Sequence, residues 1–231
     1  MSEPARSEIK LFAPDGNDHG AKTTTPRRSR RLPKTLTANQ SAQLTDFAVT
    51  QLDHEKIGRK RYGPCAAKVA AAARDLFAVQ LGLGTGLRLA ELCDLMIPDV
   101  ELDAQQLIVT HGKGDKERYV PIPDDLVPVI REWIGARTAG HVITRDDGSR
   151  MSDVTMYWRI VRLGKRAKIP QRLHPHTLRH TYATRVYEAT GDLRIVQELL
   201  GHESISTTQI YTHCTPGRML AAVNSARTAG R

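Results

Sequence analysis

The chain has few aromatic residues and no long apolar run. Aromatics make up 5% of its 231 residues, although hydrophobic residues as a whole reach 40%, enough for a sizeable core. The longest apolar run, around Leu76 to Leu87, is broken by Gln80 and three glycines, which excludes a membrane-spanning segment. The N-terminus lacks the basic-then-apolar pattern of a secretory signal. We therefore expect a soluble protein of the cytoplasm.

Cysteine is also scarce. The three cysteines are far apart in the sequence, odd in number and without metal-ligand spacing: Cys65, Cys93 and Cys214. This pattern favours small hydrophobic side chains in a reducing cytosol over a redox or metal site. We expect neither a metal ion nor a cofactor.

Acidic residues are fewer than basic ones, 25 against 34, which gives a formal net charge of +9 and a pI near 9.7. Such a surplus favours a polyanionic partner such as nucleic acid, although charge alone does not identify it. The stretch from Lys22 to Lys34 contains six basic residues, among them Arg30 and Arg31, with no acids and two prolines. It cannot fold alone, and either a solvated tail or a DNA-contacting arm fits it.

Folded structure is predicted to start near Thr37, which forms a capping box with Gln40. The helix that follows buries Leu44, Phe47, Ala48 and Leu52 on one stripe. A breaker-rich stretch is predicted from Lys56 to Pro64, then a helix from Cys65 to Leu81. A turn at Gly82, Gly84 and Gly86 should precede a short helix over Leu87–Leu95.

The middle of the chain predicts a small antiparallel sheet between Ile97 and Ile122. Leu107–Thr110 and Arg118–Ile122 are β-prone runs joined by the Gly-rich connection HGKGDKE. Four further helices are predicted, over Asp124–Trp133, Ser152–Lys168, Pro175–Ala189 and Asp192–Leu200, the last stopped by Gly201. Short helical turns should follow around Tyr211 and after Pro216. The fold class is mainly α with one small antiparallel sheet, an α+β fold.

Several polar residues stand where packing does not require them. Arg88 heads a short helix in GTGLRLAEL, with Glu91 close enough to accept a hydrogen bond from its guanidinium. The others lie at the hairpin tip, in HPHTLRH and in LLGHESISTTQIYTH: Lys113, His176, Arg179, His202 and Tyr211. His176 and Arg179 are spaced to share one helix face. Each alone has an ordinary structural explanation, but their joint occurrence in this order does not.

The segments GTGLRLAEL, GKGDKERYVPIP, HPHTLRHTYAT and LLGHESISTTQIYTH resemble the successive signature segments of the tyrosine recombinase, or phage integrase, family. The resemblance covers roughly Leu36 to Thr215, with no segment missing or out of order. It implies six catalytic residues: Arg88, Lys113, His176, Arg179, His202 and Tyr211. It also implies a tyrosine nucleophile, a 3′-phosphotyrosyl intermediate, a Holliday junction, and a tetramer on double-stranded DNA.

The implied chemistry accounts for these residue types. A phenol can attack a phosphodiester, and planar guanidinium groups can bridge the charged oxygens of the transition state without a metal ion. The lysine is expected to be the general acid. His176 would assist at the tyrosine or phosphate, although His180, one turn later, competes for that position on geometry. Glu91 is expected to orient Arg88.

DNA contacts are also predicted outside the catalytic set. Arg159, Arg162 and Arg166 form one helical stripe opposite an apolar side, which suits phosphate and groove contacts as well as a solvated face. Residues 1–35 are predicted to be a disordered basic tail, 36–215 the catalytic domain, and 216–231 a C-terminal tail that either docks into a neighbouring subunit or frays. Only some 35 residues precede the first predicted helix, so we expect the chain to lack the helical DNA-clamping domain of most relatives, either as a natural short form or as a truncated one.

Three functions fit the sequence. A recombinase, of prokaryotic or phage origin and associated with the nucleoid or a mobile genetic element, agrees best with the spacing and the LLGH segment. A type IB topoisomerase uses a similar residue set and would relax DNA as a monomer. A DNA-binding regulator is expected to lack a catalytic tyrosine or arginine, and neither is missing. A DNA-bending or directionality protein is an expected accessory partner of a recombinase.

Overall fold

A computed structural model describes residues 34–62, 66–110 and 117–201. The helices within these ranges are α1 (Ala38–Tyr62), α2 (Ala66–Thr85), α3 (Leu89–Asp94), α4 (Leu126–Ile134), α5 (Asp153–Arg166), α6 (Pro175–Thr190) and α7 (Leu193–Leu200). The strands are β1 (Val100–Glu101), β2 (Gln106–Thr110) and β3 (Glu117–Pro121), preceded by a 3₁₀ turn at Ile97–Asp99. A mainly helical fold with one small sheet is confirmed.

Helix α1 begins at the predicted capping box. The Thr37 amide donates to Gln40 Oε1 at 3.0 Å, and the Gln40 amide donates to Thr37 Oγ1 at 3.2 Å. Leu44 is fully buried, as the predicted stripe requires. The predicted break at Lys56 is wrong, because α1 continues to Tyr62. A single glycine inside a helix, here Gly58, costs only about 1 kcal/mol, which the helix tolerates.

Helix α2 also runs further than predicted, through Gly82 and Gly84 to Thr85. These glycines do not form a turn. A Cβ on Gly82 would lie 3.1 Å from a methyl of Leu178, and a Cβ on Gly84 would lie 2.8 Å from a methyl of Leu126. They therefore allow α6 and α4 to approach α2 closely. The turn itself is made at Gly86, whose φ of +65° is in the left-handed region.

The sheet has the strand order β1-β2-β3, with both pairs antiparallel. Residues alternate between the two faces, so Leu107 and Val109 of β2 and Val120 of β3 are buried. Arg118 occupies the same inward face and is paired with Val109 across the strands. The predicted hairpin is confirmed in its strands, while its connection, residues 111–116, lies outside the described residues.

The later helices match their predicted positions within a few residues at each end. Ser152 is the N-cap of α5, since its hydroxyl accepts a hydrogen bond from the Thr155 amide at 3.2 Å. Gly201 closes α7 in the left-handed conformation. The main core includes Phe77 and Trp133, whose rings stack at 4.5 Å. Of the helices in the described ranges, none is long and apolar enough to cross a membrane.

Candidate active site

Arg88 lies directly after the turn at Gly86 and is the N-cap residue of α3. Its amide donates to Glu91 Oε2 at 2.7 Å, and its guanidinium donates to Glu91 Oε1, also at 2.7 Å. The predicted contact between these two residues is therefore present. The Arg88 side chain is 37% exposed, against 9% for Glu91. Arg88 is thus held on one side by Glu91 and remains open to solvent.

Arg179 lies in the second turn of α6 and is 5% exposed. Its guanidinium donates to the carbonyl oxygens of Gly86, at 2.7 Å, and Leu200, at 2.6 Å. Its Nη1 is 3.9 Å from Glu91 Oε2. A buried guanidinium needs acceptors on several sides, and α6 supplies none of these. The site therefore exists only where α6 meets the Gly86 turn and the end of α7.

Arg118 is a site residue that the sequence prediction missed. Its guanidinium donates to both carboxylate oxygens of Glu91, at 2.8 and 2.7 Å, and its Nε donates to the Leu199 carbonyl at 3.2 Å. Its side chain is 9% exposed. The signal in the sequence was a charged residue at an inward position of an alternating strand, next to Val120 on the same face.

The three arginines also converge on the end of α7. The carbonyls of Leu199, Leu200 and Gly201 accept hydrogen bonds from Arg118, Arg179 and Arg88, respectively, the last at 2.8 Å. The carbonyls at a helix C-terminus carry partial negative charge and lack partners within the helix, so guanidinium groups stabilise them. The C-terminal end of α7 is consequently held against all three arginines.

Glu91 accepts hydrogen bonds from Arg88 and Arg118 and lies 3.9 Å from Arg179. Burial by itself would raise the pKa of its carboxyl, but the hydrogen bonds and charge of Arg118, followed by the hydrogen bonds from Arg88, outweigh that effect. The pKa falls from 4.5 to about 2. Glu91 is therefore ionised at neutral pH and can accept hydrogen bonds but has no proton to donate.

The histidines of α6 lie next to this cluster in sequence. His176 is exposed, and its ring lies 6.1 Å from that of His174 and 6.5 Å from that of His180. Burial first, then the charges of His176, His174 and Arg179, lower the pKa of His180 to about 4. His180 is thus half-buried and neutral at pH 7, whereas His176 is open to an approaching ligand.

The basic stripe of α5 lies against α1 and α2. Arg159 donates to Asp75 Oδ1 at 2.6 Å and to the Ala71 carbonyl at 2.5 Å. The Arg166 guanidinium carbon lies 5.8 Å from the centre of the Phe47 ring. Arg162 is exposed and, with the other two arginines, lines a cleft of about 230 Å³. Arg159 is therefore held by α2, whereas Arg162 and Arg166 are both exposed.

Five predicted site residues lie outside the described residues: Lys113, His202, Tyr211, Arg30 and Arg31. Lys113 belongs to the connection between β2 and β3, and His202 directly follows Gly201. The predicted turns around Tyr211 and after Pro216 are also outside. In the part of the chain that is described, no group of three or more His, Cys, Asp or Glu side chains is placed to hold a metal ion.

The sequence model of the phage integrase family matches residues 34–218. The tyrosine recombinase XerC of Haemophilus ducreyi is 38% identical over 194 residues, which cover 81% of this chain and 57% of the relative. The tyrosine recombinase XerA of Pyrococcus furiosus is 36% identical over 216 residues, which cover 91% and 68%. The chain therefore spans less than two thirds of the XerC relative.

Solved structures of recombinases are also similar to this chain. The crystal structure of XerA recombinase superposes with a TM-score of 0.67 and 29% identity, covering 88% of this chain and 67% of that one. The XerH site-specific recombinase bound to its difH substrate, in a pre-cleavage complex, gives a TM-score of 0.63 and 25% identity, covering 84% and 54%.

Proposed function

Because the chain belongs to the phage integrase family, we propose that it is a site-specific DNA recombinase that cuts and rejoins DNA strands through a covalent bond to Tyr211. The observation that carries the proposal is the cluster in which Glu91 and the end of α7 hold Arg88 close to Arg179. The XerH relative, solved with its DNA substrate, supports DNA as the partner.

The reaction requires stabilisation of a phosphorane-like transition state. The Tyr211 hydroxyl attacks the scissile phosphorus, the bond to the 5′ oxygen breaks, and a 3′-phosphotyrosyl bond forms. Negative charge grows on the non-bridging oxygens, to which Arg88 and Arg179 donate hydrogen bonds. The guanidinium groups supply the positive charge that balances these oxygens, so no metal ion is required. Each is expected to contribute about a hundredfold in rate, or about 3 kcal/mol.

Proton transfer completes the step. Lys113 gives a proton to the departing 5′ oxygen, so that a 5′-hydroxyl is released. His202 donates to a non-bridging oxygen, and His176 assists proton removal from Tyr211 or binds the phosphate. The exposure of His176, compared with the half-buried and neutral His180, supports His176 for this role. The attack of the released hydroxyl of another strand on the phosphotyrosyl bond then restores the DNA backbone.

The wider assembly follows from this chemistry. Exchange between two sites proceeds through a Holliday junction in a tetramer of this chain on DNA, with residues 36–215 as the catalytic domain. Arg162, Arg166 and Arg159 contact phosphates along the groove, and Arg30 and Arg31 in the basic tail add electrostatic attraction. Because Arg159 is already paired with Asp75, the exposed Arg162 and Arg166 should each contribute more than Arg159.

Covalent trapping tests the proposal. The wild-type protein is incubated with nicked duplexes tiled from the DNA that flanks its own gene, and SDS-resistant protein–DNA adducts are measured beside Tyr211→Phe. An adduct with the wild type alone supports the proposal and locates the DNA site. An adduct with both proteins contradicts Tyr211 as the nucleophile, and no adduct with either on any duplex contradicts the activity. Relaxation of supercoiled DNA without a specific site would indicate a topoisomerase instead.

A further inference from the structure

Arg118 has no part in the catalytic chemistry proposed above, yet it makes the most extensive contact with Glu91. It is the only one of the three arginines described here that donates to both carboxylate oxygens through its two terminal nitrogens, at 2.8 and 2.7 Å. Such a bidentate pair is the strongest arrangement available between a guanidinium and a carboxylate. It is also shielded from water, since both side chains are 9% exposed.

The other two arginines relate to Glu91 differently. The guanidinium of Arg88 donates to one oxygen of Glu91 only, the other being bonded by the Arg88 amide, and the side chain is 37% exposed. Arg179 lies 3.9 Å from the carboxylate, beyond hydrogen-bond distance, and directs its donors to backbone carbonyls. Without Arg118, the full charge of Glu91 would fall on these two arginines, which would be drawn towards it and away from an incoming anion.

Charge counting leads to the same conclusion. Three guanidinium groups and one carboxylate give this four-residue cluster a net charge of +2. Replacing Arg118 by a neutral residue would reduce that charge to +1 and leave one of the two remaining guanidinium groups to neutralise Glu91. Since the interaction between charges strengthens where water is excluded, the effect should be large at this position.

We infer that Arg118 is a positioning residue that neutralises Glu91 and so leaves Arg88 and Arg179 available to a phosphate. The inference rests on the proposed role of those two arginines in holding the scissile phosphate. Arg118 also ties strand β3, which leaves the Lys113-bearing connection, to the Leu199 carbonyl near the end of α7. One side chain thereby joins the hairpin, the Glu91 cluster and the end of α7.

The test is a set of charge variants measured by single-turnover cleavage of the nicked duplex at saturating protein. Arg118→Gln should cleave roughly tenfold to a hundredfold more slowly than wild type even when all of the duplex is bound. The double variant Arg118→Gln/Glu91→Gln returns the cluster to +2 and should recover at least about tenfold over Arg118→Gln. Arg118→Lys keeps the charge and should retain most of the rate.

A merely structural arginine would behave differently. Arg74 is the matched control, because its side chain is 8% exposed and its guanidinium is paired with Asp146 at 2.5 Å, in another part of the fold. Arg74→Gln should lose stability but cleave at the wild-type rate. If the double variant is no faster than Arg118→Gln, or if Arg118→Gln cleaves at the wild-type rate, the inference is overturned.

A second readout does not depend on strand cleavage. Inorganic phosphate, added at constant ionic strength, should raise the melting temperature of the wild type saturably. It should bind Arg118→Gln about tenfold more weakly, and the double variant should recover that affinity. If this order holds while the wild type forms no adduct on any duplex, the proposed function fails and the role of Arg118 stands. If adducts form but the phosphate affinity and the cleavage rate of Arg118→Gln equal those of the wild type, only the inference fails.

Discussion

Ionisation of Glu91 should make the stability of the fold depend on pH in the acid range. The pKa of this carboxyl is lowered from 4.5 to about 2, and its side chain is 9% exposed. A carboxyl whose pKa is lower in the folded than in the unfolded state contributes stability that is fully present above pH 4.5 and is lost as the pH falls towards 2. The separation of the two values corresponds to about 3 kcal/mol of unfolding free energy.

Urea unfolding of the wild type and Glu91→Gln measures this contribution. Near neutral pH the variant should be less stable by about 3 kcal/mol, and the difference should shrink as both proteins are brought below about pH 4. Glu198→Gln is the control, since its side chain is 75% exposed and its distance from Arg194 is 4.0 Å. It should change stability by less than about 0.5 kcal/mol at any pH. A difference between wild type and Glu91→Gln that stays constant down to about pH 3 would refute the reasoning.

Three further outcomes are expected. Gly86→Ala should lower the free energy of unfolding by about 2 kcal/mol or more in thermal unfolding, because its φ is +65° and a Cβ would overlap the Tyr182 ring. Gly148→Ala, with φ +80° but open space around the Cβ, should lower it by only about 1 kcal/mol. Leu81→Ala in the core should lower the free energy of unfolding in urea by about 2–5 kcal/mol. Val154→Ala, at a side chain that is 69% exposed, should lower it by less than about 0.5 kcal/mol, and equal losses would contradict the packing described. The His180 imidazole should titrate near pH 4 by NMR, and His176→Gln should raise that pKa by removing a neighbouring positive charge; an unshifted His180 in the variant would argue against the coupling.

Local signals predicted most of the helices correctly. The Thr37–Gln40 capping box, the Ser152 cap and the Gly201 stop each act within one turn of the chain, so they can be recognised without knowledge of the fold. The contact between Arg88 and Glu91 was predictable for the same reason, since the two residues are three apart on one helix.

The misread glycines show where local signals fail. Gly82 and Gly84 are typical of a turn by composition, but both lie within α2 because Leu178 and Leu126, distant in sequence, require the space that a side chain would occupy. Tertiary packing outweighs a propensity cost of about 1 kcal/mol for each glycine. Gly58 also sits inside α1, but no atom lies within 4 Å of where its Cβ would be, so there the helix bears the propensity cost without a packing requirement.

By itself, the sequence determined the fold class, the family and the residue types of the candidate site, because these are properties of short segments and their order. Only the tertiary structure brought Arg118 and Arg179 to Glu91 and joined all three arginines to the end of α7. These contacts link residues separated by 21 to 113 positions, and their partners are largely backbone carbonyls. Backbone acceptors carry no mark in the sequence, so the arrangement that orients the arginines became visible only once the segments were packed together.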